Sequence, residues 1–290
     1  MKIERLLFKD YRGFKDAEFS FGDFACLVGP NGIGKTSILD AVSLLCSSLD
    51  FKDDKVGPGG KWAPTATGEQ RLKAFLRKNI RGVDDENACK AFEVQGIFEH
   101  DGRKLEVILT QDGFAKNDVI KEPWWWAGVC FFAKFDVDMT NFQLRKALWD
   151  KFAKSWEAIT GYPAVDPDIY MVDKLAKVES DAEYVTAFHI LKPTGKVHCR
   201  KGSAGEKKIM KSLTTIVNLE EERQPHIVLL DNATMHVHDT RHLAMIEVLK
   251  DLFKGKQIIA TAHSSVIVEK YQPKEHIMDV EKIVLGKEVQ

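Results

Sequence analysis

A chain of 290 residues is long enough to bury a substantial core, as one large domain or two smaller ones. Its 42 basic and 43 acidic side chains nearly cancel, which excludes a global electrostatic case for binding nucleic acid or a membrane surface; any such surface must be local. The five cysteines (Cys26, Cys46, Cys89, Cys130, Cys199) are scattered with no C-x-x-C pair, which argues against a disulfide framework or a zinc site and for reduced thiols in a cytoplasm.

The N-terminal segment from Met1 to Phe8 is interrupted too early by charge to be a secretion signal, and no apolar run approaches the roughly 18 residues that span a bilayer. The expectation is a soluble, cytoplasmic protein with no membrane partner. Residues 2–9 and 16–20 alternate apolar and polar side chains around Tyr11-Arg12-Gly13-Phe14, the pattern of two strands joined by a turn. The apolar run Phe24-Ala25-Cys26-Leu27-Val28 then predicts a strand. It is followed by Gly29-Pro30-Asn31-Gly32-Ile33-Gly34-Lys35-Thr36, which reads G-x-x-x-x-G-K-[ST], and by a helical pattern from Ser37 to Leu45. Strand, glycine-rich loop and helix in this order make a phosphate-binding loop. Its glycines let the backbone wrap an anion, amides at the helix start point at phosphate, Lys35 adds a charge and Thr36 offers a hydroxyl to Mg²⁺. Asn31, Gly32, Ile33, Gly34, Lys35, Thr36 and Ser37 are therefore expected to line a nucleotide.

Residues 49–68 are rich in Lys, Asp, Gly and Pro and predict a surface loop or insertion. Residues 71–81 read as a basic amphipathic helix, with Leu72, Phe75, Leu76 and Ile80 on one face and five cations on the other, either a solvated face or a place for a phosphate backbone. Residues 92–111 predict a hairpin turning at Asp101-Gly102. Trp124-Trp125-Trp126 is read as packing under a sheet, or, if exposed, as a partner surface, and 128–135 as a buried strand. Helical spacing is read over 140–160 and again over roughly 168–192, interrupted at Gly161-Tyr162-Pro163, with no heptad run long enough for a coiled-coil arm.

Lys201-Gly202-Ser203-Ala204-Gly205-Glu206-Lys207-Lys208 opens another helix, where a serine hydroxyl and helix-start amides form either a second anion site or a plain N-cap. His226-Ile227-Val228-Leu229-Leu230-Asp231 is an apolar strand ending in a carboxylate, the Walker B pattern, with Asp231 placed to hold Mg²⁺ through its water shell. Asn232 follows. An amide orients water but does not accept its proton, so slow hydrolysis is expected unless this step does not limit turnover or Glu220, Glu221, Glu222 or a histidine substitutes. His236-Val237-His238 has a spacing that zinc could use, but nothing nearby supplies further ligands. Residues 240–253 predict an amphipathic helix, 256–265 a strand running into the polar end His263-Ser264-Ser265, and 276–285 a last strand.

The opening strand pair, the phosphate loop, the 201–208 segment, the Asp231 strand and His263 together resemble the ABC-type ATPases of the SMC/RecF/OLD group, most closely the OLD/RecF-like branch, which includes ATPases of Septu and retron defence systems. The resemblance implies an α/β fold: a P-loop NTPase head of ABC type, a mixed sheet flanked by helices, with an antiparallel β subdomain and a helical lobe. One head would fill 1–290, its core drawn from 1–48 and about 190–290 and its variable part from 49–189. Arg12 would lie near the nucleotide, unless it is only an exposed turn arginine. Ser203, Ala204, Gly205 and Glu206 would stand for the signature that completes the ATP site of a second copy, and His263 for the switch histidine that senses the γ-phosphate. Gly202 stands where leucine is common, and Asn232 and Thr234 stand where relatives carry a catalytic glutamate. The glutamine loop is not placed among Gln95, Gln111 and Gln143. ATP and Mg²⁺ are the implied cofactors, and Lys35, Asp231, Asn232 and His263 the implied catalytic set. A homodimer bridged by nucleotide, a separate nuclease or toxin chain as effector and DNA are the implied partners. Two functions remain open: a slow ATPase that times a DNA-directed, repair or phage-defence assembly, and an ATP sensor that dimerises with almost no turnover.

Overall fold

The computed structural model describes residues 1–49, 91–111, 113–117, 130–134, 144–171, 183–223, 225–235 and 237–286. In chain order the strands and helices are β1 (Lys2–Tyr11), β2 (Phe14–Ser20), β3 (Phe24–Val28), α1 (Lys35–Leu49), β4 (Glu93–His100), β5 (Arg103–Thr110), β6 (Gly113–Asn117), β7 (Cys130–Lys134) and β8 (Leu144–Arg145). There follow α2 (Trp149–Thr160), β9 (Ala164–Met171), β10 (Glu183–Lys192), β11 (Gly195–His198), α3 (Ala204–Arg223), β12 (Ile227–Asp231), α4 (His242–Leu252), β13 (Gln257–Thr261), α5 (Ser265–Lys270), β14 (Ile277–Asp279) and α6 (Val280–Val284).

Three sheets form. The central one is parallel, in the order β14-β3-β13-β12-β7. Its inner strands are apolar at nearly every position because both faces are covered, as a parallel sheet between layers requires. Alternate residues serve opposite cores. Phe24, Cys26 and Val28 join Val228, Leu230, Ile258 and Ala260 against α2, α3 and α4. Ala25 and Leu27 join Ile227, Leu229 and Ile259 against α1 and the second sheet. That second sheet is antiparallel, β2-β1-β4-β5-β6, with the expected Asp101-Gly102 turn between β4 and β5. In the third, β10 pairs with β9 along one edge and with β8 and β11 on the other.

The fold follows the expected head with local departures. β1 and β2 belong to the same antiparallel sheet as β4–β6, and β7 from the interval 49–189 completes the central sheet. The helical reading of 168–192 is overturned: β9 and β10 occupy its described ends. The reason lies in β10, where the register against β9 shifts between Val185 and Ala187 and again before His189. Buried side chains therefore fall at Val185, Ala187, Phe188 and Ile190, a spacing that mimics a helical stripe. The helix read over 140–160 begins only at Trp149, after β8. The last segment is a strand only to Asp279, whose carboxylate accepts from the amides of Glu281 and Lys282 and caps α6. Likewise Ser264 caps α5 by accepting from Ile267 N, where a plain polar end was expected. The insertion at 49–68 (beyond residue 49), the basic helix 71–81 and Trp124–Trp126 lie outside the described residues. Among the described residues no helix is long and apolar enough to cross a membrane.

Candidate nucleotide site

Strand order places the site. β3, β13 and β12 are neighbours, so the Gly29–Thr36 loop, the segment after Thr261 and Asp231 with Asn232 emerge side by side at the C-terminal edge of the parallel sheet. Open parallel sheets bind ligands at this edge. Gly34 has φ +108, and a Cβ there would lie 2.6 Å from the ring of buried Phe14, so only glycine lets the loop rest on β2. Asn31 and Gly32 are exposed at the tip, and Ile33 and Gly34 are half-buried.

Lys35, the first residue of α1, is buried, and its Nζ donates to the carbonyls of Gly29 (2.7 Å) and Pro30 (2.8 Å). Burial pulls its pKa below the ordinary lysine value, and the charge of Asp231 opposes that pull. Thr36 Oγ1 donates to both carboxylate oxygens of Asp231, at 3.2 and 3.1 Å. Thr261 Oγ1 donates to Asp231 Oδ1 at 2.8 Å and accepts from the backbone N–H of Asn232 at 2.8 Å. Asn232 has φ +58, in the left-handed region. His263 is exposed at the end of β13 and hydrogen-bonds the Gly29 backbone; partial burial and then the charge of Lys35 lower its pKa, while Asp231 acts the other way. Arg12, also at positive φ, is no free turn residue: it donates to Ser37 Oγ (3.1 Å) and Asp40 Oδ2 (3.0 Å) on α1. The donor set suits a magnesium-bound triphosphate, because a hydroxyl and a carboxylate match a hard cation and an ammonium with helix-start amides matches phosphate.

The signature candidate sits elsewhere, at the start of α3. Ser203 N–H donates to Glu206 Oε2 (2.7 Å) and Glu206 N–H donates back to Ser203 Oγ (3.2 Å), a reciprocal cap. Lys192 pairs with the same carboxylate at 2.8 Å. Burial would raise the Glu206 pKa, but the bonds from Lys192 and Ser203 outweigh it and hold it below the ordinary value. Glu206 is thus committed within its own helix start, while Ser203 and Ala204 are exposed and Gly205 is half-buried. Among the described residues the hydrogen bonds of this segment run to Cys199, Lys192 and its own helix rather than to the phosphate loop.

Other candidates fall as follows. Gln95 Nε2 donates to Glu106 across the β4–β5 ladder, Gln111 Oε1 accepts from Phe92 N, and Gln143 lies outside the described residues. The side chains of Glu220, Glu221 and Glu222 and all of His236 also lie outside them. Among the described residues no group of three or more His, Cys, Asp or Glu is placed to hold a metal by itself. Three residues escaped the sequence reading. Thr261 is the one hydroxyl on an otherwise aliphatic strand end. His242 is buried, with Nδ1 2.7 Å from Ser264 Oγ and Nε2 2.9 Å from the Val237 carbonyl, and so ties the segment after Asp231 to the segment after His263. Gln257 joins two sheets.

The model of the AAA ATPase domain matches residues 1–195, well over half of the chain. This chain belongs to the AAA ATPase domain family. The chain is similar to the DNA replication and repair protein RecF of Erwinia tasmaniensis, 41% identical over 128 residues, covering 39% of this chain and 34% of that protein. RecF of Cronobacter sakazakii is 31% identical over 113 residues, covering 39% and 25%. The matches therefore span about a third or less of these relatives' length. Among solved structures, the SMC head domain from Thermotoga maritima superposes with a TM-score of 0.54 at 17% identity, covering 94% of this chain and 93% of that one. An SMC head bound to the C-winged helix domain of ScpA gives 0.54 at 16% identity, covering 96% and 94%. At such identities the likeness is one of fold, and the fold is that of an ABC-type head.

Proposed function

We propose that this ATPase binds Mg²⁺ and ATP at the Gly29–Thr36 loop, closes on the nucleotide with a second copy, hydrolyses slowly, and governs an effector carried on a separate chain. The observation that supports it is the meeting of Lys35, Thr36 and Asp231 at the end of the parallel strands, with Thr36 Oγ1 3.1 Å from the Asp231 carboxylate. Bound Mg²⁺ would neutralise the charge of the β- and γ-phosphates. Lys35 would exchange its bonds to Gly29 and Pro30 for phosphate oxygens, Thr36 and Asp231 would hold the cation, and His263 would donate to the γ-phosphate from beside Gly29. Arg12 would brace Ser37 and α1. Ser203 and the first amides of α3 would face the γ-phosphate held by the other copy. One head over residues 1–290 is the corresponding organisation.

Asn232 supports a second reading, a sensor that dimerises on ATP without appreciable turnover, because its amide cannot take the proton of the attacking water. An effector of nuclease or toxin type, with DNA repair or phage defence as the setting, follows from the resemblance to RecF- and OLD-like heads, and DNA contact would be local, on surfaces such as the Lys196, Arg200, Lys201, Lys207, Lys208 and Lys211 cluster. Titrating ATP calorimetrically and following phosphate release separates the readings. The ATPase reading expects turnover below about 1 s⁻¹, the low end for enzymes, abolished in Lys35→Ala. Binding without release leaves the sensor, and no binding by the wild type contradicts both.

A further inference from the structure

We infer that Thr261 is a positioning residue for the carboxylate that meets Mg²⁺: its hydroxyl fixes Asp231 and holds Asn232 in its left-handed conformation, so the Mg²⁺ requirement of the ATP site depends on it. This rests on the nucleotide-site reading above. Thr261 is wholly buried at the end of β13, one position beyond the paired residues Ala260 and Leu230, so it stands beside Asp231 on β12. Its single hydroxyl proton has one destination. The Asn232 N–H only donates and an ionised carboxylate only accepts, so Thr261 must accept from Asn232 and donate to Asp231 Oδ1, both at 2.8 Å. A β-branched side chain is stiff about χ1, which keeps that hydroxyl in place. The Thr261 carbonyl accepts from Ala233 N–H at 2.9 Å, so one residue grips the chain on both sides of Asn232.

With Oδ1 held by Thr261 and both oxygens reached by Thr36, Asp231 is oriented before any cation arrives. Thr261→Val keeps the shape and removes both side-chain bonds. Asp231 then gains rotational freedom, and the Asn232 N–H loses its acceptor. Partners that orient a metal ligand are worth about 10–100-fold in metal affinity, and that is the size of effect expected here.

The test is calorimetric titration of ATP in EDTA and in graded MgCl₂, on wild type, Thr261→Val and Thr261→Ser. Thr261→Val should bind ATP in EDTA as the wild type does, since the phosphate loop is untouched. It should need about 10–100-fold more MgCl₂ to reach half of the magnesium-dependent gain, and Thr261→Ser should restore the wild-type requirement. In the nucleotide- and metal-free protein, amide exchange at Asn232 should quicken in the valine variant only. An unchanged MgCl₂ requirement in Thr261→Val overturns the inference and leaves the nucleotide site standing. A wild type whose ATP binding ignores Mg²⁺ overturns both. If circular dichroism shows Thr261→Val unfolded, Thr261→Cys, whose thiol is a weaker donor, is held to the same criteria.

Discussion

Asn232 carries two constraints at one position. Its backbone sits at φ +58, a conformation that asparagine tolerates better than most residues, and it directly follows the carboxylate Asp231. A glutamate there would pay about 1 kcal/mol in backbone strain but would bring a proton acceptor to the site. Asn232→Glu should therefore raise phosphate release by about 100-fold, the low end for a general base; an unchanged or lower rate in a folded variant would mean that water activation does not limit turnover. His226 makes a pH prediction. Burial first, then the N-terminal amine 3.3 Å from its Nδ1, push its pKa down to about 4. Below the ordinary value of 6.5 the unfolded chain takes up a proton that the folded one refuses, so stability falls as pH drops from about 6.5 towards 4. The urea midpoint should fall over that window, by a modest amount because the ring is half-exposed, and His226→Asn should flatten the fall.

At the scale of elements, Gln257 joins the central sheet to the antiparallel one. Its Oε1 accepts from Ile3 N and its Nε2 donates to the carbonyls of Ile3 and Gly22, each at 2.8 Å, with the side chain almost wholly buried. Gln257→Leu strands those backbone groups and should cost about 1–3 kcal/mol, read as a lower melting temperature with ATP affinity retained; unchanged stability would show that water replaces the amide. The same scale explains what could be read in the sequence. β3, β12 and β13 were legible because a doubly buried strand is an uninterrupted apolar run, and β4–β5 because Asp101-Gly102 marks its turn. β10 was not, since two register shifts turn its alternation into a helix-like spacing. Nor were the short helices α5 and α6, whose start signals are single capping residues, Ser264 and Asp279. At the site, Lys35, Thr36, Asp231 and His263 were legible from motif order, whereas Thr261 and His242 act through partners on other strands, which spacing along the chain does not reveal.

At the scale of the molecule, the two anion-binding features belong to different parts of the head. The phosphate loop lies at the edge of the parallel sheet, beside Asp231 and His263. The Ser203–Glu206 cap lies at the start of α3, packed over the other core and bonded to Lys192. Among the described residues the hydrogen bonds of the two features do not meet within one copy, which fits the proposal that Ser203 faces a γ-phosphate held by another copy. The measurement that tests this most directly is the mass of the protein in solution with and without ATP and Mg²⁺, for the wild type and for Ser203→Arg, which places a bulky cation on the exposed cap while leaving the phosphate loop intact. The wild type should double its mass on adding ATP, and Ser203→Arg should bind ATP and stay single. A wild type that binds ATP without changing mass, or a Ser203→Arg variant that doubles as readily, would contradict the half-site account.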